Sequence, residues 1–198
     1  MKKVYEICKS AKPEWEKVEG VNLNHTAWLP EIDVSAVAKA CYNDEKLYLR
    51  LEAKEEFIRE ELTGPYQMVC EDSCLEFFFA PMPDDERYFN FEFNPKGAMY
   101  LGFGTGRILH ARQIVENYDK LFSLKTFKTE KGWGVEFEIP YSFIRLYFPD
   151  FKPEGKSHCN FYKCGDKTRV MHYLSWSDMT GENPDFHRRC DFSEIIYK

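Results

Sequence analysis

Glu76 sits in Cys74-Leu75-Glu76-Phe77-Phe78-Phe79-Ala80, a run otherwise made of apolar residues. A carboxylate there has to be paired or line a concave functional surface, because an isolated buried charge is strongly disfavoured. Glu92, Glu136 and Glu138 add acids on other alternating segments. Two acids roughly 5–10 Å apart across a sugar-sized cleft would make a glycosidase pair. A small glycoside-active enzyme using Glu76 is therefore one alternative, although outward-facing glutamates on strands are ordinarily just solvated. The aromatic residues suggest a second chemistry: 17 Phe, 12 Tyr and 4 Trp in 198 residues. Sugar rings stack their C–H faces on aromatic planes while fixed polar groups meet their hydroxyls. A sheet face carrying Glu76, Asn90 and Arg50 beside Tyr162 and Trp176 would have that make-up, with the remaining phenylalanines filling a core.

Metal chemistry is tested by spacing. Seven cysteines, Cys8, Cys41, Cys70, Cys74, Cys159, Cys164 and Cys190, are scattered with no dense framework. In an extended segment the Cys70 and Cys74 sulfurs lie roughly 13 Å apart, and Cys159 and Cys164 point to opposite faces. Neither pair chelates one ion in that geometry, and no tight C-x-x-C knuckle is present. His187 with Cys190 is a remaining alternative, and the metal question stays open. The odd, scattered set reads as reduced thiols in a cytoplasmic protein. Gly102-Phe103-Gly104-Thr105-Gly106 lacks the following helix of a phosphate loop and is expected to be a strand end or bulge.

The elements that must position these residues alternate with period two. Leu47, Leu49, Leu51 and Ala53 share one face, and Phe89, Phe91 and Phe93 oppose Asn90, Glu92 and Asn94. Val135, Phe137 and Ile139 oppose Glu136 and Glu138. Further strands are expected at 3–8, 35–42, 74–80, 97–103, 123–129, 158–164, 170–176 and 192–197. Hairpins are expected to join 87–94 to 97–103 and 123–129 to 133–139. Only about 55–62 and 141–147 look helical. About ten strands with one or two short helices predict an all-β fold, an antiparallel β-sandwich of jelly-roll or immunoglobulin type, forming one domain over 1–198. At this length folding buries roughly 70% of the unfolded chain's surface, so no metal or disulfide staple is required.

Net charge is −6, from 27 Lys+Arg against 33 Asp+Glu, which argues against nucleic acid as a partner. No stretch approaches the roughly 18 apolar residues of a membrane helix, and the basic start lacks the apolar run of a signal peptide.

Three stretches carry a family resemblance. They are Cys41-Tyr42-Asn43-Asp44-Glu45-Lys46-Leu47-Tyr48-Leu49, then Glu71-Asp72-Ser73-Cys74-Leu75-Glu76-Phe77-Phe78. The third combines Gly132-Trp133-Gly134-Val135-Glu136-Phe137-Glu138-Ile139-Pro140 with Ser175-Trp176-Ser177-Asp178. In that order, from Trp15 to Ile196, the sequence resembles the family 9 carbohydrate-binding modules. The resemblance implies a β-sandwich of about ten strands that binds a mono- or oligosaccharide without catalysis, in carbohydrate catabolism, and often holds structural calcium. It implies Glu76 as a sugar hydrogen-bonding residue and puts Tyr162 near the family's glutamine. The family's first tryptophan falls near Val69 or Cys70, with Tyr66 the closest aromatic, and its second near Asp185-Phe186. Tyr88-Phe89-Asn90-Phe91 stands where the family has an arginine. Glu76, Asn90 and Tyr162 are then polar contacts, with Tyr66, Trp176 and Phe186 as stacking rings. Because related sandwiches bind haem through methionine and histidine, Met68, Met99, Met171 and His172 define a haem alternative. A plain protein-interaction sandwich is the last.

Overall fold

The computed structural model describes residues 2–26 and 28–198. Fourteen strands are found among them: β1 (Val4–Ile7), β2 (Gly20–Leu23), β3 (His25–Thr26), β4 (Ser35–Tyr42), β5 (Lys46–Lys54), β6 (Cys74–Ala80) and β7 (Tyr88–Phe93). The rest are β8 (Met99–Thr105), β9 (Leu109–Arg112), β10 (Lys125–Thr129), β11 (Gly132–Pro140), β12 (Lys156–Gly165), β13 (His172–Ser175) and β14 (Ser193–Tyr197). One sheet runs β1-β14-β12-β6-β7-β8-β9, with β13 also pairing β12 and β3 pairing β13. The other runs β10-β11-β5-β4-β2. All pairs are antiparallel except β1 with β14. The chain is therefore an all-β sandwich, as its patterning predicts, and both expected hairpins form.

The alternating faces explain how the sheets meet. Val135, Phe137 and Ile139 lie opposite Leu51, Leu49 and Leu47. The small Ala38 and Ala40 face Leu51 and Leu49 on the other side. From the larger sheet Phe77 stacks on Phe161 at 4.9 Å, and Phe93 meets Phe137 at 4.5 Å. These rings form one continuous core between the sheets, dominated by area burial at about 25 cal/mol per Å².

β6 and β7 are buried on both faces. A strand at the middle of a sheet reads as a continuous apolar run only if something covers its outer side. Here that cover is a second apolar cluster containing Val69, Phe78, Tyr88, Tyr162, Phe186 and Phe192. It packs the outer face of the larger sheet beneath the segments around 69 and 179–192.

The expected helix over 55–62 is absent. Its backbone is tied instead to the lead-in of β6: Arg59 N–H donates to Ser73 Oγ at 3.0 Å, and Leu62 N–H to Asp72 Oδ2 at 2.9 Å. Long-range bonds have replaced the i to i−4 ladder. Helical turns appear at α1 (Tyr118–Leu121) and α2 (Tyr141–Ile144), the latter inside the expected 141–147. Strands β2, β3 and β9 were not expected; each is four residues or fewer. No helix among the described residues is long and apolar enough to cross a membrane.

Candidate functional site

Register places the polar side chains. Glu76 on β6 lies opposite Tyr162 on β12 and Glu92 on β7, and Glu92 lies opposite Tyr100 on β8. Directly opposed residues share a face, so these four form a row across the outer side of the larger sheet. A neighbouring row contains Asn160, Phe78, Asn90, Gly102 and Arg112. On the other side, Cys164 lies opposite both Cys74 and Tyr173.

The loop from β13 to β14 closes over this face. Asp191, buried at its far end, accepts hydrogen bonds from Thr180 N–H (3.0 Å), Thr180 Oγ1 (2.7 Å) and Arg188 Nε (2.8 Å). That clamp sets Phe186, which stacks on Tyr162 with ring centres 4.0 Å apart. Trp28 and Tyr173 pack edge-on or tilted against Phe186, each at 5.8 Å. Trp28 Nε1–H donates to the Gly181 carbonyl at 2.7 Å. Its φ of 64° is unusual for a bulky residue and marks a backbone held in place by its surroundings. Between the sheet and this aromatic wall lies a cleft of about 200 Å³, lined among others by Trp28, Phe186, Tyr173, Tyr100, Glu76 and Glu92.

Beneath the cleft runs a buried polar network. Cys164 Sγ–H donates to Glu76 Oε1 at 2.9 Å, and Asn90 Nδ2 to Glu92 Oε1 at 2.6 Å. His110 Nε2–H donates to Asn90 Oδ1 at 2.6 Å, while Tyr88 OH meets His187 Nδ1 at 2.8 Å. Gly102 is required here, since a Cβ would collide with both Asn90 and His110. Burial raises Glu76 above the usual carboxylate range, and burial and then the adjacent Glu76 raise Glu92. Burial holds His110 down to about 4 and His187 to about 3. The floor is thus a pair of adjacent carboxyls of reduced charge, able to donate as well as accept hydrogen bonds.

Of the residues singled out from sequence, Glu76 and Phe186 line the cleft. Asn90 and Tyr162 lie directly beneath, fully buried. Three fall elsewhere. Trp176 packs into the core between the sheets, against Tyr5 at 6.2 Å and Phe161 at 5.9 Å, so it cannot stack on a ligand in the cleft. Arg50 is on β5 of the other sheet, paired with Glu136 at 2.6 Å and Glu52 at 2.9 Å and lying over Phe127. Tyr66 is 72% exposed and is not among the lining residues. Trp28, Tyr100 and Tyr173 were missed. Tyr100 had a legible signal, sharing a strand face with Gly102, whereas Trp28 lies outside any strand pattern and had none.

The haem ligands do not assemble. Met99 is in the inter-sheet core and Met171 is exposed. Both His172 nitrogens are engaged, Nε2 by Lys163 Nζ (2.7 Å) and Nδ1 by the Val170 carbonyl (2.8 Å). The cysteine pairs weighed within one segment also stay apart in role. Cys159 faces the core and Cys164 the outer cluster, while Cys70 belongs to a short turn before β6.

Residues 2–197 match the family described as Carbohydrate-binding family 9. The chain belongs to carbohydrate-binding family 9. This family 9 chain is also similar in structure to a proposed carbohydrate-binding protein from Bacteroides uniformis, with TM-score 0.80 and 25% identity over 98% of this chain and 97% of that one. Two structures of a family 9 module from Caldicellulosiruptor kristjanssonii share the fold at TM-score 0.70. The one in complex with cellotriose is 15% identical, covering 99% of this chain and 94% of that one. The one in complex with glucose is 16% identical, covering 99% and 96%. No curated protein matches the chain. Calcium, implied by family resemblance, is a poor fit to the one group of three His, Cys, Asp or Glu side chains that converges among the described residues. That group, Cys74, Glu76 and Cys164, contains two thiols, whereas calcium takes six to eight oxygens.

Proposed function

We propose that this family 9 domain binds the terminal unit of a neutral mono- or oligosaccharide in the cleft over Glu76, without transforming it. The observation that carries the reading is the adjacent Glu76–Glu92 pair lying beneath the Trp28, Tyr173 and Phe186 rings. Vicinal sugar hydroxyls are donors and acceptors at once, which suits a pair of carboxyls of reduced charge. The rings offer planes for the apolar face of a pyranose. A volume of about 200 Å³ lies below the roughly 300–1,000 Å³ of drug-sized pockets, which favours one ring over an extended chain segment.

A glycosidase would need its acids on opposite sides of the scissile bond. Glu76 and Glu92 face a bound sugar from the same floor, which favours binding over hydrolysis. The seven unpaired cysteines support a reducing, cytoplasmic setting.

Isothermal titration with glucose, cellobiose and xylobiose tests the proposal. Saturable binding to at least one is expected, weakened roughly 10–100-fold in Glu76→Gln, the range of a hydrogen bond to a charged or strongly polarised group. Trp28→Ala should lose at least as much. No heat of binding to any of these sugars at millimolar concentration, with the fold intact, would overturn it.

A further inference from the structure

The floor of the cleft leaves a chemical question that sugar binding does not answer. Glu76 and Glu92 are nearly inaccessible, yet among the described residues the side chains that hydrogen-bond Glu76 are thiols, which are weak donors. Glu92 Oε2 is buried with no hydrogen-bond partner among the described residues. Buried polar atoms are almost always satisfied, and an exception calls for an ion, a water or a function. On the adjoining row Cys74 and Cys164 face each other across β6 and β12. Their sulfurs and a Glu76 oxygen all lie within 4.8 Å of one another. Around zinc, with bonds of about 2.3 Å to sulfur and 2.0 Å to oxygen, tetrahedral donors are roughly 3–4 Å apart, so the 2.9 Å contact between Cys164 Sγ and Glu76 has to widen slightly, an adjustment within reach of rotamer changes.

We propose that Cys74, Cys164 and Glu76 form a binding site for a thiophilic divalent cation of the zinc class, its open position directed toward the cleft and Glu92. Thiolate ligands select such an ion over calcium or magnesium. Binding replaces the two thiol protons, together with any proton held on Glu76, all of which pass to solvent, with two sulfur–metal bonds and one oxygen–metal bond, and the metal keeps its oxidation state. The positive charge also adds to the more distant Lys163 and Arg112 in offsetting the two carboxyls. The inference stands on the donor geometry and is independent of whether a sugar occupies the cleft above.

The test is titration of the full-length, reduced protein with cobalt(II) alone, no sugar present. One equivalent should produce a near-ultraviolet thiolate-to-cobalt charge-transfer band together with visible bands of tetrahedral intensity, and zinc should displace it. The exposed thiols are removed in a Cys8→Ser, Cys190→Ser protein, which should keep the band. Cys164→Ser should abolish it, and Glu76→Gln, which preserves side-chain shape should the serine variant fail to fold, should weaken cobalt binding at least tenfold. Absence of the band at excess cobalt would overturn the assignment. So would its survival in Cys164→Ser, or its loss when only Cys8 and Cys190 are changed. Sugar titrations read the other proposal separately.

Discussion

At Glu55 a buried carboxylate is fully answered: Trp133 Nε1 donates at 2.6 Å, Ser73 Oγ at 2.9 Å, and Lys163 Nζ lies at 3.3 Å. Lys163 is itself completely buried and reaches His172 Nε2 and the Cys164 carbonyl. Glu55→Ala would strand an ammonium inside the protein, which costs about 3–5 kcal/mol. Urea unfolding followed by tryptophan fluorescence should show that loss, and a cost under 1 kcal/mol would mean the pair is not closed in solution. Among the described residues no cation forms an ion pair with Glu76, on which Lys163 acts only from a longer distance, and that difference separates a structural acid from one available to a ligand. Only one of the two was legible beforehand. Glu76 stands out in an apolar run, while Glu55 sits in Lys54-Glu55-Glu56, which looks like solvated surface until β5 carries its end against β12.

Among the elements, the strands from β4 to β8 and β11 to β14 follow from the sequence pattern because one or both of their faces are buried. The segments that make the site do not. The loop from β13 to β14 has no periodicity, and its shape depends on a long-range clamp at Asp191. Asp191→Ala should cost about 1–3 kcal/mol, since it leaves the donors of Thr180 and Arg188 unmatched, and should reduce sugar affinity by freeing Phe186. Asp185 on the same loop forms an ion pair with the largely exposed Arg107 at 3.0 Å. Asp185→Ala, which also gives up the local bond from His187 N–H at 2.9 Å, should change stability by no more than about 1 kcal/mol. Paired denaturation curves of the two variants check the ordering, and equal costs would show that the clamp is not what holds the loop. Arg50 and Trp176 were grouped with Glu76 by residue type; strand parity and sheet membership, which depend on long-range pairing, send them elsewhere.

For the whole molecule, burial on both faces of the larger sheet takes several titratable groups out of water. His158 is one that lies away from the cleft. Burial, then Arg189, whose Nη2 donates to its Nδ1 at 2.9 Å, hold it down to about 4, with Lys2 and Lys156 acting the same way and Glu194 against them. The unfolded chain therefore binds a proton between about pH 6.5 and 4 that the folded one does not, so this group's contribution to stability falls as pH drops through that window. Between pH 7.5 and 5.5 the wild type should lose about 1 kcal/mol relative to His158→Gln, measured by denaturation at the two pH values. Parallel curves would contradict the assignment. The sandwich itself was legible from alternation and from the scarcity of helical segments. The second apolar layer outside the larger sheet was not, because Phe78, Tyr88 and Phe186 cannot be told from inter-sheet core residues by type.

The central claim, that the cleft over Glu76 holds the sugar, is tested most directly by the indole signals of a uniformly nitrogen-15-labelled protein during a sugar titration. Trp28 lines the cleft, whereas Trp133 and Trp176 are buried in the inter-sheet core. Addition of a bound sugar should move the Trp28 indole resonance saturably and leave those of Trp133 and Trp176 in place, and Glu76→Gln should shift the midpoint roughly 10–100-fold upward. A sugar that binds while the Trp28 signal stays fixed would place the site elsewhere and contradict the account.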